Sequence, residues 1–237
     1  MIIEKISGAF VLRDDRYEGG SKARFLPYLM EGKAEVVYGS PVFGGAALAM
    51  SYVGKKMNIP VTIFYAKRKE LHWMQKIVRN NGARIIEVPL GFMSNVQAKA
   101  RAYCEKTGAW MFPLGFDLPE AREPFLSFIR SVKAALPSID EVCCAAGSGM
   151  LSRCLAEVFS ESQISAVAVG LKSRYEKQKF PPNLQLIPCP YRFEQECRIR
   201  PPFKSSANYD AKAWEYLMRK YRGEIPQDHK VLFWNVL

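Results

Sequence analysis

Lys22 is the residue whose type and setting point most directly to covalent chemistry. It stands in Gly19-Gly20-Ser21-Lys22-Ala23-Arg24-Phe25-Leu26, where the glycines leave room for a primary amine to project into a cleft. An amine so placed forms a Schiff base when desolvation or nearby cations lower its pKa. The same stretch also reads as a surface turn carrying an ordinary lysine. A second segment, Ala145-Ala146-Gly147-Ser148-Gly149-Met150-Leu151-Ser152, follows an apolar run and opens a helical pattern. Backbone N–H groups in such a loop, backed by the helix dipole, bind phosphate without any charged side chain. A tight strand-to-helix turn without a ligand explains it equally well. A dinucleotide fingerprint is not met, because no third glycine follows at the required place. The third segment, Asn208-Tyr209-Asp210-Ala211-Lys212-Ala213-Trp214, lies at a helix start. Tyr209 and Asp210 could serve a cofactor there; alternatively Asn208 or Asp210 caps the helix and Trp214 joins the core.

The elements that must position these segments follow from apolar periodicity. Strands are expected at 34–38, 60–66 and 84–88, with helices at 44–57, 70–81 and 94–106, the last open to capping by Ser94. A helix over 119–136 then precedes a strand at 141–146, a helix at 150–159 and a strand at 164–169. Short links and strict β, α alternation predict an α/β fold with a parallel sheet covered by helices. Residues 171–206 change texture: they contain six prolines with Lys172, Arg174, Lys177, Lys179, Arg192, Arg198, Arg200 and Lys204 against Glu176, Glu194 and Glu196. Much of that stretch reads as loop. A helical pattern returns at 209–221, and 231–236 is a final apolar strand.

The chain has 237 residues, enough to bury a large core without disulfides, and its 49% hydrophobic and 24% charged usage argues against disorder. Its net charge of +11 suggests an anionic partner: nucleic acid, phosphorylated metabolite or membrane surface. No signal peptide is visible, since Glu4 and Lys5 interrupt the first apolar run, and no stretch approaches a membrane span. None of the six cysteines forms a CxxC and the two histidines, His72 and His229, are far apart, so a zinc site is not expected. Cys143 and Cys144 read as small core hydrophobes. The protein reads as soluble, reduced and cytoplasmic.

The order of the three segments resembles the pyridoxal-phosphate (PLP) enzymes of the tryptophan-synthase β type, fold type II. Within that group the chain is most similar to the aminocyclopropane-carboxylate (ACC) deaminase and D-cysteine desulfhydrase branch. Its Gly-Gly-Asn-Lys-x-Arg-Lys-Leu stretch resembles "GGSKARFL", and its Tyr-Glu-Gly-Lys resembles Tyr209-Asp210-Ala211-Lys212. The resemblance implies two parallel-sheet α/β domains with the active site between them: a larger cofactor domain from 1–35 and 114–237, and a small inserted domain at 36–113. It also implies a homodimer. Lys22 would carry PLP and move protons at the substrate α-carbon, while Gly147, Ser148, Gly149, Met150 and Leu151 would hold the phosphate. Asp210 would face the pyridine nitrogen, making the ring an electron sink, and Tyr209 would act as acid, base or stacking group. Ser40, in "YGSPVFGG", would bind the substrate carboxylate. The pattern is broken in places. Pro41 and Val42 replace the small residue and cofactor-contacting asparagine after that serine, Met150 and Leu151 replace Gly-Thr in the phosphate loop, and family enzymes are generally longer.

The charge exceeds what one cofactor phosphate requires. Arg198, Arg200 and Lys204 precede Tyr209, a second basic group comprises Lys67, Arg68, Lys69, Lys76, Arg79 and Arg84, and Tyr175, Phe180, Tyr191 and Phe193 interleave with the later cations. Aromatic stacking with cationic contacts is how proteins hold exposed nucleotides. With Arg198 and Arg200 as further substrate contacts, the expected reaction is decarboxylation, elimination or deamination of an amino-acid group attached to a nucleotide or DNA base. The alternatives are a lyase for a small free amino acid, and a PLP-free relative that binds nucleic acid.

Overall fold

The computed structural model describes residues 1–89, 92–170 and 179–237. Lys172, Arg174, Tyr175, Glu176 and Lys177 of the basic stretch lie outside the described residues. In chain order the strands and helices are β1 (Ile3–Ile6), β2 (Ala9–Arg13), α1 (Leu26–Met30), β3 (Val36–Gly39), α2 (Gly45–Met57), β4 (Val61–Ala66), α3 (Trp73–Asn80), β5 (Arg84–Val88), α4 (Met93–Thr107) and β6 (Trp110–Met111). There follow α5 (Pro119–Ala134), β7 (Glu141–Ala146), α6 (Met150–Val158), β8 (Gln163–Ala168), β9 (Leu184–Pro188), α7 (Asp210–Lys220) and β10 (Val231–Asn235).

The chain divides into two compact units, one made of Met1–Tyr17 with Arg122–Leu237 and the other of Glu18–Ala121. The first holds a six-stranded sheet in the order β1-β2-β10-β7-β8-β9. All its pairings are parallel except β1 with β2. That hairpin turns through Ser7 and Gly8, both at positive φ (49° and 83°), the two-residue geometry that matches strand twist. It was not expected from the sequence, because the flanking strands are short and one of them is half exposed. β7 is buried at all six positions, as a central parallel strand must be when both its faces are covered. Helix α7 lays Ala213, Trp214 and Leu217 against this sheet, where Trp214 meets Phe233 edge to face at 5.1 Å. Aromatic edge contacts of this kind add to the gain from burial.

The second unit holds a four-stranded sheet in the order β5-β4-β3-β6. Its pairings are all parallel, as the β, α alternation implied. The mixed α/β architecture agrees with the sequence expectation, and strands β5 and β7 fall where periodicity placed them. Three local readings need correction. Ser94 does not cap α4, because the helix begins a residue earlier, after Phe92 at the cap. α3 starts at Trp73 rather than at 70, since the imidazole of His72 accepts from the Met74 N–H and Gln75 reciprocates to the His72 N–H. The Pro-rich stretch contains strand β9, an edge strand ending at Pro188, where a missing N–H costs least. Cys143 and Cys144 are both wholly buried, as expected of small hydrophobes.

Candidate active site

In the first unit, the carboxyl end of β7 runs into Gly147-Ser148-Gly149 and then α6. Gly149 adopts φ +87° at the helix cap, a conformation that glycine takes without steric cost. Gly147 is required for another reason. A Cβ there would lie 2.5 Å from the Tyr209 hydroxyl and 3.2 Å from its ring. Tyr209 therefore lies directly against the loop, and the sequence separation between them is bridged by the return of the chain to α7. No acid interrupts 147–152, and the first N–H groups of α6 face this loop, where the Met150 N–H donates to Ser148 Oγ at 3.5 Å.

Asp210 opens α7 and is 0% exposed. It is not a side-chain cap: Tyr209 occupies the cap position and makes no side-chain cap bond. Instead the Leu237 N–H donates to Asp210 Oδ2 at 3.0 Å, and the Leu237 carbonyl accepts from the Ser206 N–H at 2.8 Å. Burial, with the Asp210 charge close by, pushes the Cys144 thiol up, far out of reach of ionisation. This places Asp210 beside β7. Asn208 Nδ2 donates to the Glu194 carbonyl, while Asn235 Nδ2 bridges Asp15 and the Lys204 carbonyl. Arg13 closes that network by pairing with Asp15 at 2.9 Å and with Glu4. Asn235 and the Leu237 backbone were not identified from the sequence, since nothing local in "FWNVL" signals a partner across the sheet.

Arg198 and Arg200 are exposed. The Arg200 guanidinium pairs with Glu196 at 2.6 Å, and the Arg198 N–H donates to Glu215 at 2.8 Å. The aromatic residues beside them anchor the loop. The Tyr191 hydroxyl donates to Glu215 at 2.7 Å, and Phe193 lies near Lys212 Nζ.

In the second unit, Lys22 sits in a 3-10 turn, Gly20–Arg24, and is partly buried between buried Ser21 and Ala23. Gly19 opens the turn at φ +86°, and a Cβ there would meet the α2 backbone at Ala49, 2.9 Å away. Gly19 thus seats the lysine turn on α2. Ser40 follows β3 and is buried. Its Oγ donates to the Pro41 carbonyl at 2.9 Å and is hydrogen-bonded with the Tyr65 hydroxyl. Gln97 Nε2 donates to the Gly39 carbonyl at 2.7 Å, fixing the end of the same strand. Beyond Ser40, the Phe43 ring meets His72 at 5.0 Å, His72 meets Trp73 at 5.5 Å, and Arg68 lies over Phe43 at 5.2 Å. Lys67, Arg68 and Lys69 are exposed there and make no ion pair among the described residues. Neither this ring cluster nor the capping role of His72 was legible beforehand, because Phe43 and His72 are 29 positions apart.

A glycine-rich strand-to-helix turn at the carboxyl end of a largely parallel sheet, a tyrosine packed on it and a buried carboxylate at the next helix are groups that a phosphorylated ring cofactor would use. The chain belongs to the pyridoxal-phosphate dependent enzyme family, whose model matches residues 8–179. Among solved structures it is similar to an ACC deaminase homologue, with a TM-score of 0.79 and 19% identity over 97% of this chain and 85% of that one. It is also similar to the processed form of threonine deaminase isoform 2 from Solanum lycopersicum, with a TM-score of 0.70 and 14% identity over 97% and 74% of the two chains. A pyridoxal 5'-phosphate-dependent aspartate racemase gives 0.70 at 12% identity, covering 97% and 84%. No curated protein matches the chain. The cofactor is pyridoxal phosphate, and the fold is that of fold type II. Neighbours with different reactions share this fold, so it does not choose the bond that is broken. No helix among the described residues is long and apolar enough to cross a membrane, and no group of metal-ligating side chains occurs among them.

Proposed function

We propose that the chain carries out α-carbon chemistry (decarboxylation, elimination or deamination) on an amino-acid group borne by a nucleotide or DNA base. When bound, PLP supplies an electron sink for the α-carbon. The residues present fit it: an acid-free cradle of N–H donors, a glycine whose Cβ would collide with Tyr209, and a buried carboxylate. Lys22 would contribute the amine that holds the cofactor and, once the substrate amine had displaced it, would be the group to move the α-proton. Gly147, Ser148, Gly149, Met150 and Leu151 would hold the phosphate through their N–H groups. Asp210, its Oδ2 held by the Leu237 N–H, would be the partner of the ring nitrogen. Tyr209 shields the cradle from water and can exchange a proton through its hydroxyl. Ser40 orients the substrate carboxylate once its hydroxyl turns from Pro41.

The observation that carries the substrate class is the rim beside Ser40. Trp73 is 46% exposed, next to His72 and Phe43, with Lys67, Arg68 and Lys69 alongside. A small free amino acid needs neither rings nor a row of unpaired cations, whereas an exposed base and its phosphates need both. The second reading, a lyase for a free amino acid, is favoured by the later basic loop, where Arg200 is paired and Tyr191 is committed to Glu215. The PLP-free alternative does not accord with membership of the family. Retention on single-stranded DNA at low salt, lost steeply as salt rises, and turnover of an amino-acid-modified oligonucleotide are expected. Salt-independent turnover of free amino acids without DNA retention would overturn the nucleotide-borne reading in favour of the lyase.

A further inference from the structure

Lys212 lies two residues beyond Asp210 on α7, so its side chain leaves the helix on a different face. It is 2% exposed, and its Nζ donates to the carbonyls of Arg192 at 2.9 Å and Phe193 at 3.2 Å. No carboxylate among the described residues bonds to it, and Glu194 acts on it only at a distance. A buried ammonium without an acid partner is costly; burial pushes the Lys212 pKa down, and the surrounding Cys189 and Cys197 only partly restore it.

The same lysine lines a cavity of about 340 Å³, whose walls include Val167, Pro188 and Pro190 and whose other charged groups are Arg198, Glu215 and Arg219. Glu215 is the only acid of that lining among the described residues, and its oxygens are already occupied. Oε1 accepts from the Tyr191 hydroxyl and from Arg219, and Oε2 from the N–H groups of Arg198 and Ile199. Those bonds hold the Glu215 carboxyl below its usual range despite its burial. It therefore offsets one positive charge and leaves two. The Arg198 guanidinium, exposed at the edge, has no ion pair among the described residues, and its planar fork is suited to an oxyanion.

We propose that this cavity is a second oxyanion site, separate from the cofactor cradle, that takes a compact phosphate- or carboxylate-bearing molecule between Arg198, Lys212 and Arg219. Its volume lies at the lower end of the roughly 300–1,000 Å³ range of ligand clefts, which suits a phosphate monoester rather than a polymer. Arg198 thus serves this cavity, whereas Arg200 is tied to Glu196 outside it.

The test uses the full chain loaded with PLP, so that the Gly147 loop is filled, with inorganic phosphate as the probe. Melting temperature is followed against phosphate at constant ionic strength, balanced with sodium chloride. A saturable rise is expected, with the half-saturating concentration increased about tenfold in Arg198→Ala, the scale of losing one charge-assisted contact, and unmoved in Arg200→Ala. Because Lys212→Met removes a buried anchor and may not fold, Arg198→Ala is the deciding variant. A rise that persists unchanged in Arg198→Ala, or that chloride reproduces, means an adventitious ion only and overturns the proposal. A response to an oligonucleotide with none to phosphate overturns it too, reassigning the surface to a polymer. The readout is melting rather than turnover, so it stands or falls independently of the reaction proposed above.

Discussion

Two strand-to-helix turns in this molecule have the same local grammar and opposite characters. After β7, Gly147-Ser148-Gly149 leads into α6; after β3, Ser40-Pro41-Val42-Phe43-Gly44 leads into α2. The first is closed by a distant residue, since Tyr209 occupies the space a Cβ at 147 would need. The second is closed by its own chain: Ser40 bonds to Pro41, and Gly44 packs against the Pro41 ring. The first turn therefore presents backbone donors under a tertiary lid. The second buries Ser40 and Val42 and carries a half-buried Phe43 that meets His72 and Arg68. A backbone cradle suits a group common to every substrate, the cofactor phosphate. A side-chain rim suits what differs between substrates.

The contrast can be broken at several points. The largest effect is expected from Lys22→Ala, which should abolish the Schiff-base absorbance band of the PLP-loaded protein. Turnover should fall about 10³-fold, the scale of losing a positioned proton-transfer group; a surviving band would assign the attachment to another amine. Gly147→Ala should cost about 1–3 kcal/mol of overpacking, read as weaker PLP binding in a fluorescence titration. Adding Tyr209→Phe removes the nearest clashing atom, and a double variant no better than the single would show that Tyr209 does not close the cradle. Trp73→Ala should lower affinity for single-stranded DNA by about 1–2 kcal/mol, one stacked base. Unaltered retention in that variant would remove the rim from substrate recognition.

The smallest effect concerns stability. Burial raises the Glu141 pKa, but hydrogen bonds from Lys220, Ser165 and Tyr221 outweigh it, so the folded value lies below 4.5. A depressed carboxyl pKa contributes stability that is complete above the unfolded value and is lost as pH falls through the folded one. Glu141→Gln should therefore destabilise by about 1 kcal/mol near neutrality, and the gap from the parent should narrow in urea melts below pH 4.5. A gap independent of pH would mean that the bonds act without the charge.

The turns themselves were legible because glycine, small residues and an apolar run announce a strand-to-helix junction locally. The same local grammar placed β5 and β7 and marked Lys22, Gly147 and Asp210 as the residues to examine. Where the signal was short, it failed. The Ser7-Gly8 hairpin and β9 were not foreseen, since short or partly exposed strands carry little periodicity. The basic loop shows the other limit. Its cations and rings were visible in sequence, but pairing decided their roles: Arg200 to Glu196, Tyr191 to Glu215, and Lys212 to two carbonyls.

What the amino-acid sequence by itself determined was the fold class and, through the motifs that resemble it, the family, because periodicity, turn residues and motif order are properties of neighbours along the chain. Only the tertiary structure decided that Gly147 must lack a Cβ because of Tyr209, that Leu237 holds Asp210, that Phe43, His72 and Arg68 meet, and that Lys212 is buried with no acid bonded to it among the described residues. Each of those depends on residues brought together across a sheet or helix, where distance in space, rather than in sequence, sets sterics and charge.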